Sequence, residues 1–77
     1  MSNRRATADL DRHIGWKLRA RRKVLGLTLD EVAGALGVSL QQVQKYERGV
    51  STISAAALWR AAVLLRTPVG SFFEPGS

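Results

Sequence analysis

The sequence contains no cysteine and a single histidine, His13. Without thiols there are no disulfides and no thiol chemistry, and one isolated imidazole makes none of the usual zinc spacings. No apolar run approaches the roughly 18–20 residues of a membrane-spanning helix, and no apolar segment of a signal peptide follows the first arginines. We therefore expect a cytoplasmic chain with no cofactor and no metal, with His13 as an ordinary surface side chain.

Acidic residues are also scarce. The sequence has six Asp and Glu but twelve Lys and Arg, which gives a net charge of +6 on 77 residues. This balance favours a polyanionic partner, although a basic surface kept for solubility is the alternative. A chain of this length makes one small domain with little room for an enzyme pocket. No paired carboxylates, nucleophile with a base, or metal cluster is visible, so we expect no enzymatic activity.

The chain divides into a short tail and one domain. Residues 1–8 are polar and lack periodicity, which predicts a flexible basic tail. Residues 9–77 are predicted to form the domain. Within the tail, Arg4 and Arg5 could follow a nucleic-acid groove, but an ordinary solvated tail is the simpler interpretation.

The first helix is predicted to begin at Asp9 or Asp11 and to end before Gly26. Apolar residues recur on one of its faces and cations on the opposite face. The apolar set is Leu10, Ile14, Leu18 and Leu25; the basic set is Arg12, Arg19 and Lys23.

Two capping-box patterns lie close together. In the first, Thr28 can accept the N–H of Glu31 while the carboxylate of Glu31 reaches back. The helix that follows has an apolar stripe and is closed by Gly37. The second pattern, from Ser39 to Gln42, starts the next helix almost at once. So short a turn suits two helices crossing at about 90–120°, and it predicts a helix-turn-helix over residues 29–48.

The third helix is predicted to present two different faces. Val43 and Tyr46 point inward, whereas a polar set shares the exposed side: Gln41, Gln44, Lys45 and Arg48. A fourth helix should run from the cap Ser54 to about Arg66. Residues 69–73 are long enough for one more helical turn or a packed tail, and no strand is expected. The prediction is an all-α fold.

Four stretches within residues 10–73 resemble lambda-repressor-like, Cro/C1-type (XRE family) helix-turn-helix proteins. They are residues 22–28 (RKVLGLT), 30–33 (DEVA), 37–39 (GVS) and 46–49 (YERG). The resemblance implies a compact five-helix domain bound to operator DNA as a dimer, with the third helix in the major groove. It also implies an ion pair between Arg22 and Glu47. One departure is Leu29, where the family commonly has a glutamine that contacts a phosphate.

Placing the third helix against DNA gives its polar residues roles. Glutamine can make paired hydrogen bonds to adenine, lysine can donate to guanine, and a leucine near the groove can touch a thymine methyl. Gln42 is set aside because the capping box would use its side chain. The alternative is that these side chains are merely solvated. The predicted readers of base edges are Leu40, Gln41, Gln44 and Lys45.

Phosphate contacts are predicted around this helix, since Leu29 cannot supply the usual one. Hydroxyls at helix N-termini and nearby cations are the candidates. For each cation an ordinary solvated charge is the alternative. The candidates are Lys17, Arg19, Lys23, Thr28, Ser39 and Arg48.

The fourth helix is apolar on more than one face, which predicts a surface that buries against a second copy. The alternative is that so small a core uses these side chains internally. The dimer candidates are Trp59, Val63, Val69, Phe72 and Phe73.

We expect a homodimeric, nucleoid-associated transcriptional regulator, most simply a repressor, on a near-palindromic DNA operator. A protein-interaction module, such as an antitoxin or an adaptor, is the alternative.

Overall fold

The computed structural model describes residues 4–74. Within them the chain forms four α-helices followed by a 3-10 helix, and no strand. The elements are α1 (Arg4–Val24), α2 (Leu29–Leu36), α3 (Leu40–Arg48), α4 (Ala55–Leu64) and the 3-10 helix (Val69–Phe73). The all-α prediction is confirmed, and the fifth element is a 3-10 helix. The predicted span of the helix-turn-helix, residues 29–48, coincides with α2, the turn and α3.

Helix α1 begins earlier than the sequence predicted. The prediction of a non-helical tail is wrong for residues 4–8, which are the first turn of α1. Arginine and alanine are good helix formers, and no proline or glycine interrupts these residues, so the helix extends past Asp9. Residues 1–3 and 75–77 of the predicted tail and domain lie outside the described residues. The side chains of Arg4 and Arg5 also lie outside the described residues, so neither the groove contact nor the solvated tail is tested.

The turns follow local capping chemistry. At the start of α2, the Thr28 hydroxyl accepts from the Glu31 N–H and the Glu31 carboxylate accepts from the Thr28 N–H. Gly37 ends α2 with φ of 73°, a left-handed conformation that costs a glycine little. Helix α4 ends at Leu64, two residues before the predicted end, and Arg66 follows with φ of 54°.

The core lies between the helices, with α3 packed against α1 and α2, α4 against α2, and the 3-10 helix against α1 and α4. Ile14 and Leu18 of the predicted α1 stripe are buried in it. Leu10 and Leu25 are not, since they remain 41% and 39% exposed, which corrects the prediction for both ends of the stripe. Leu10 lies toward the start of α1, and Leu25 lies just past the end of the helix at Val24, so the helical spacing does not bring either one into the core.

The closest approach between α1 and α3 is at Gly15. A Cβ atom added there would collide with the carbonyl oxygen of Tyr46 and would lie 2.9 Å from that of Glu47. The position is buried. At the end of the same crossing, a Cβ on Gly49 would lie 2.6 Å from the Cα of Arg12. Two glycines therefore let the backbones of α1 and α3 meet directly.

We predict that Gly15→Ala lowers the free energy of unfolding by about 1–3 kcal/mol, because the methyl group would push α3 away from α1. Gly34→Ala is the matched control, since Gly34 is an exposed helical glycine with open space around its Cα. That change should raise stability by about 0.4–1 kcal/mol. Urea denaturation measures both. Equal effects of the two substitutions would contradict the close approach at Gly15.

Candidate nucleic-acid interface

Helix α3 has one buried side and one polar side. Val43 and Tyr46 are buried in the core. The predicted polar set lies on the opposite side with all of its members exposed: Gln41, Gln44, Lys45 and Arg48. Leu40 is half-buried at the start of the helix. Planar amide groups and cations thus share one accessible face of a short, well-anchored helix.

The second capping box is formed only in part. The Ser39 hydroxyl accepts from the Gln42 N–H at 3.1 Å, which fixes the first turn of α3. The return bond from the Gln42 side chain is not among the hydrogen bonds of the described residues, whereas Glu31 makes its equivalent in α2. The sequence-based reason for setting Gln42 aside therefore does not hold. Its half-buried side chain is still less accessible than those of Gln41 and Gln44.

A forked ion pair links α1 to the end of α3. Arg22 Nε donates to Glu47 Oε2 at 2.7 Å, and Arg22 Nη2 donates to Glu47 Oε1 at 3.1 Å. The third nitrogen, Nη1, donates to the carbonyl of Leu27 at 3.1 Å. The hydrogen bonds that Arg22 donates to the Glu47 carboxylate raise the pKa of Arg22. The pair implied by the resemblance is present, and it ties α1, the loop before α2 and α3 together.

An open groove runs between α1, the start of α2 and α3. The Arg22–Glu47 pair forms part of its wall, together with Arg19, Leu29, Gln44 and Arg48. Because Glu47 neutralises Arg22, the exposed cations Arg19 and Arg48 give the groove its charge. Two phosphate candidates that are 29 residues apart in sequence therefore face one space.

The first turn of α2 is less suited to a phosphate than the sequence indicated. The Thr28 N–H is already bonded to Glu31 at 2.9 Å. These bonds to Thr28 lower the pKa of Glu31, so the carboxylate stays charged, and Asp30 adds a second negative charge in the same turn. Leu29 packs against the core and adds no polar group.

The other two phosphate candidates of α1, Lys23 and Lys17, lie on different sides of the helix. Lys23 lies with Arg19, Trp16 and Ala20 in a second, smaller groove on the outer face of α1. Lys17 lines neither groove, because a residue two positions before Arg19 is rotated by about 200° around the helix. Sequence reasoning missed Trp16. Its spacing of three and seven residues from Arg19 and Lys23 was the available signal.

The C-terminal part of the chain exposes large apolar side chains, of which Trp59, Val63 and Val69 line one groove. Trp59, Val63, Val69 and Phe73 are all open to solvent, with Trp59 63% exposed. Phe72 is fully buried in the core, so its prediction as a dimer contact is wrong. Phe72 and Phe73 are adjacent in the 3-10 helix and therefore point about 120° apart, so Phe73 stays exposed while Phe72 enters the core.

His13 is not the ordinary surface side chain that the sequence predicted. It is half-buried, and its Nε2 atom is buried without a hydrogen-bond partner. The described residues contain no group of three or more His, Asp or Glu placed to hold a metal ion. None of the helices described here combines the length and the apolar character needed to cross a membrane.

Comparison with known proteins is consistent with this geometry. A helix-turn-helix family model matches residues 18–72. The chain is 43% identical over 73 residues to a transcriptional regulator in the ATPase CF(0) region of Rhodospirillum rubrum, covering 95% of this chain and 68% of that protein. It is 35% identical over 74 residues to an HTH-type transcriptional regulator of Sinorhizobium medicae, covering 96% of this chain and 53% of that protein.

A solved structure is similar as well. The crystal structure of the clp gene regulator ClgR from C. glutamicum superposes with a TM-score of 0.77 at 31% identity, covering 83% of each chain. The chain belongs to the helix-turn-helix family of Cro/C1 type, the XRE family. It spans about half the length of curated relatives such as the Sinorhizobium protein.

We predict that Glu47→Gln lowers the free energy of unfolding by about 3 kcal/mol, because it leaves the Arg22 charge without its partner where both side chains are largely buried. Asp9→Asn is the matched control, since it breaks the exposed pair of Asp9 and Arg12. That change should cost at most about 1 kcal/mol. Urea denaturation distinguishes the two, and a Glu47 effect no larger than the Asp9 effect would show that the buried pair does not hold α3.

Proposed function

We propose that this chain is a sequence-specific, double-stranded DNA-binding transcriptional regulator that acts as a repressor in the cytoplasm. The observation that supports this most is the exposed polar face of α3, held on α1 by the Gly15 crossing and the Arg22–Glu47 pair. The names of its relatives as transcriptional regulators support the same class. The net charge of +6 favours a polyanion as partner.

The residues of this face match the chemistry of base edges in the major groove. Gln41 and Gln44 can each present a carbonyl and an amide to N6 and N7 of adenine, and Lys45 can donate to O6 and N7 of guanine. Leu40, half-buried at the start of α3, has apolar surface for a thymine methyl. We propose these four as the readers of sequence.

Phosphate contacts would position the helix without reading sequence. In the groove between α1 and α3, Arg19 and Arg48 can hold one backbone phosphate from two sides. Ser39 lies exposed at the start of α3, beside N–H groups that favour an anion. This arrangement would replace the contact that Leu29 cannot make. Thr28 contributes less, because its N–H is already bonded to Glu31.

We further propose that the chain acts as a homodimer through the apolar face of Trp59, Val63, Val69 and Phe73. An exposed patch of large apolar side chains on so small a protein is typical of an interaction surface. A two-fold dimer would read two half-sites about 34 Å apart or a multiple of that distance, so its operator would be nearly palindromic. The same patch is the observation that favours the second candidate function, an antitoxin or adaptor with a protein partner.

We predict that Gln44→Ala or Lys45→Ala weakens binding to a selected operator by about 1–3 kcal/mol, while binding to random duplex changes far less for Gln44→Ala. Gln42→Ala is the control, since Gln42 is on the same helix but is half-buried. Operators selected from a random DNA pool and fluorescence anisotropy supply the measurement. An equal loss on operator and on random DNA after Gln44→Ala would contradict base reading by α3.

We predict that Val63→Lys converts the dimer into a monomer, because a two-fold interface would bring two added charges together in a desolvated patch. Val24→Lys is the matched control, since Val24 is comparably exposed but lies on α1 outside this face. Analytical ultracentrifugation measures the assembly. A Val63→Lys protein that remains dimeric would place the dimer contact elsewhere.

A further inference from the structure

We propose that the outer face of α1, formed by Trp16, Arg19 and Lys23, is a second contact surface for duplex DNA. It would bind the sugar-phosphate backbone beyond the base pairs that α3 reads. The inference rests on the proposed function. It adds a second DNA-binding surface and gives a role to Trp16, which takes no part in base reading.

The geometry supports a continuous surface. Trp16, Arg19 and Lys23 are spaced by three and four residues and therefore lie on one face of α1. Arg19 lines both the α1–α3 groove and the smaller groove that holds Trp16 and Lys23. The stretch from Trp16 to Lys23 is ~10 Å long, which matches the rise of about three base pairs. A DNA backbone that contacts Arg48 and Arg19 can thus continue along the outer face of α1.

The charge of this face is one-sided. The lining of the smaller groove contains two exposed cations and no carboxylate. Arg12, one turn before Trp16, is partly neutralised by its ion pair with Asp9. Ala20 is small, which leaves room for a ligand between Arg19 and Lys23. A phosphate backbone fits such a groove better than an acidic peptide would, because the groove is continuous with the proposed DNA surface.

Trp16 lies outside the hydrophobic core. It is 55% exposed. An indole gives an apolar face that can pack against a deoxyribose and an N–H that can donate to a phosphate oxygen. Arg19 and Lys23 follow Trp16 on the same face, where they can contact neighbouring phosphates. Covering the ring with DNA would also remove an exposed apolar group from water.

The experiment compares the wild-type chain with Trp16→Ala/Lys23→Gln on an operator selected from random DNA. Phosphate-ethylation interference identifies the contacted phosphates, and anisotropy at several salt concentrations gives affinity. The matched control is Val24→Ala/Arg66→Gln, which removes one exposed apolar residue and one exposed cation that line neither of the two α1 grooves. Lys23→Gln alone is measured too, because an exposed lysine can be replaced without risk to folding.

The proposal expects about tenfold weaker binding of the double variant and loss of interference at a cluster of phosphates outside the α3 contacts, with base preference unchanged. For Lys23→Gln the salt slope should fall by about 0.9. The control should keep wild-type affinity and pattern. Unchanged affinity and an unchanged interference pattern in the double variant would overturn the proposal. That is also the result expected if this face binds a protein instead of DNA. A wild-type chain that selects no operator would instead overturn the proposed function itself.

Discussion

Helix α3 depends on the place where it crosses α1. The backbones meet at Gly15 with no side chain between them, and the forked pair of Arg22 and Glu47 adds a second link between the two helices. Both contacts lie on the inner side of α3. The side chains on the outer side of α3 are therefore not needed for these two contacts, and they are available to contact a partner. Rigid positioning of this kind is what recognition of base edges requires.

Under the proposed function, the same crossing would compensate for the lack of a polar residue at Leu29. Because α1 lies directly beside α3, Arg19 and Arg48 come to face one groove, where they can hold an anion together. The first turn of α2, with Asp30, Glu31 and an occupied Thr28 N–H, is electrostatically poorer for that purpose. In the proposed complex the phosphate contact would therefore lie beside α1 rather than at the N-terminus of α2, and the basic outer face of α1 would extend it.

Features set by neighbours in sequence could be predicted, and features set by tertiary contact could not. The Thr28 box, the turn at Gly37 and the two-sided pattern of α3 all depend on residues within one or two turns, and they are present in the structure. The early start of α1 was missed because its first residues give no stop or cap signal. The role of Gly15 requires the position of α3, which no local pattern contains.

The burial of individual side chains also could not be predicted from the sequence. Phe72 and Phe73 are chemically identical, and only the packing of the 3-10 helix decides that Phe72 is enclosed while Phe73 is open. Leu10 and Leu25 continue the spacing of Ile14 and Leu18, but they lie near or past the ends of α1, and a local pattern does not show how far the core extends. The Arg22–Glu47 pair was anticipated through the family resemblance, since its partners are 25 residues apart.

The central claim is that α3 meets DNA through its glutamine face, and side-chain amide NMR tests it most directly. Gln41, Gln42 and Gln44 are the only glutamines in the chain, so their amide resonances report on this helix alone. With a selected operator duplex, the account predicts that the Gln41 and Gln44 signals shift and broaden well beyond that of Gln42. Unshifted Gln41 and Gln44 signals, with the largest changes on α4 instead, would contradict it.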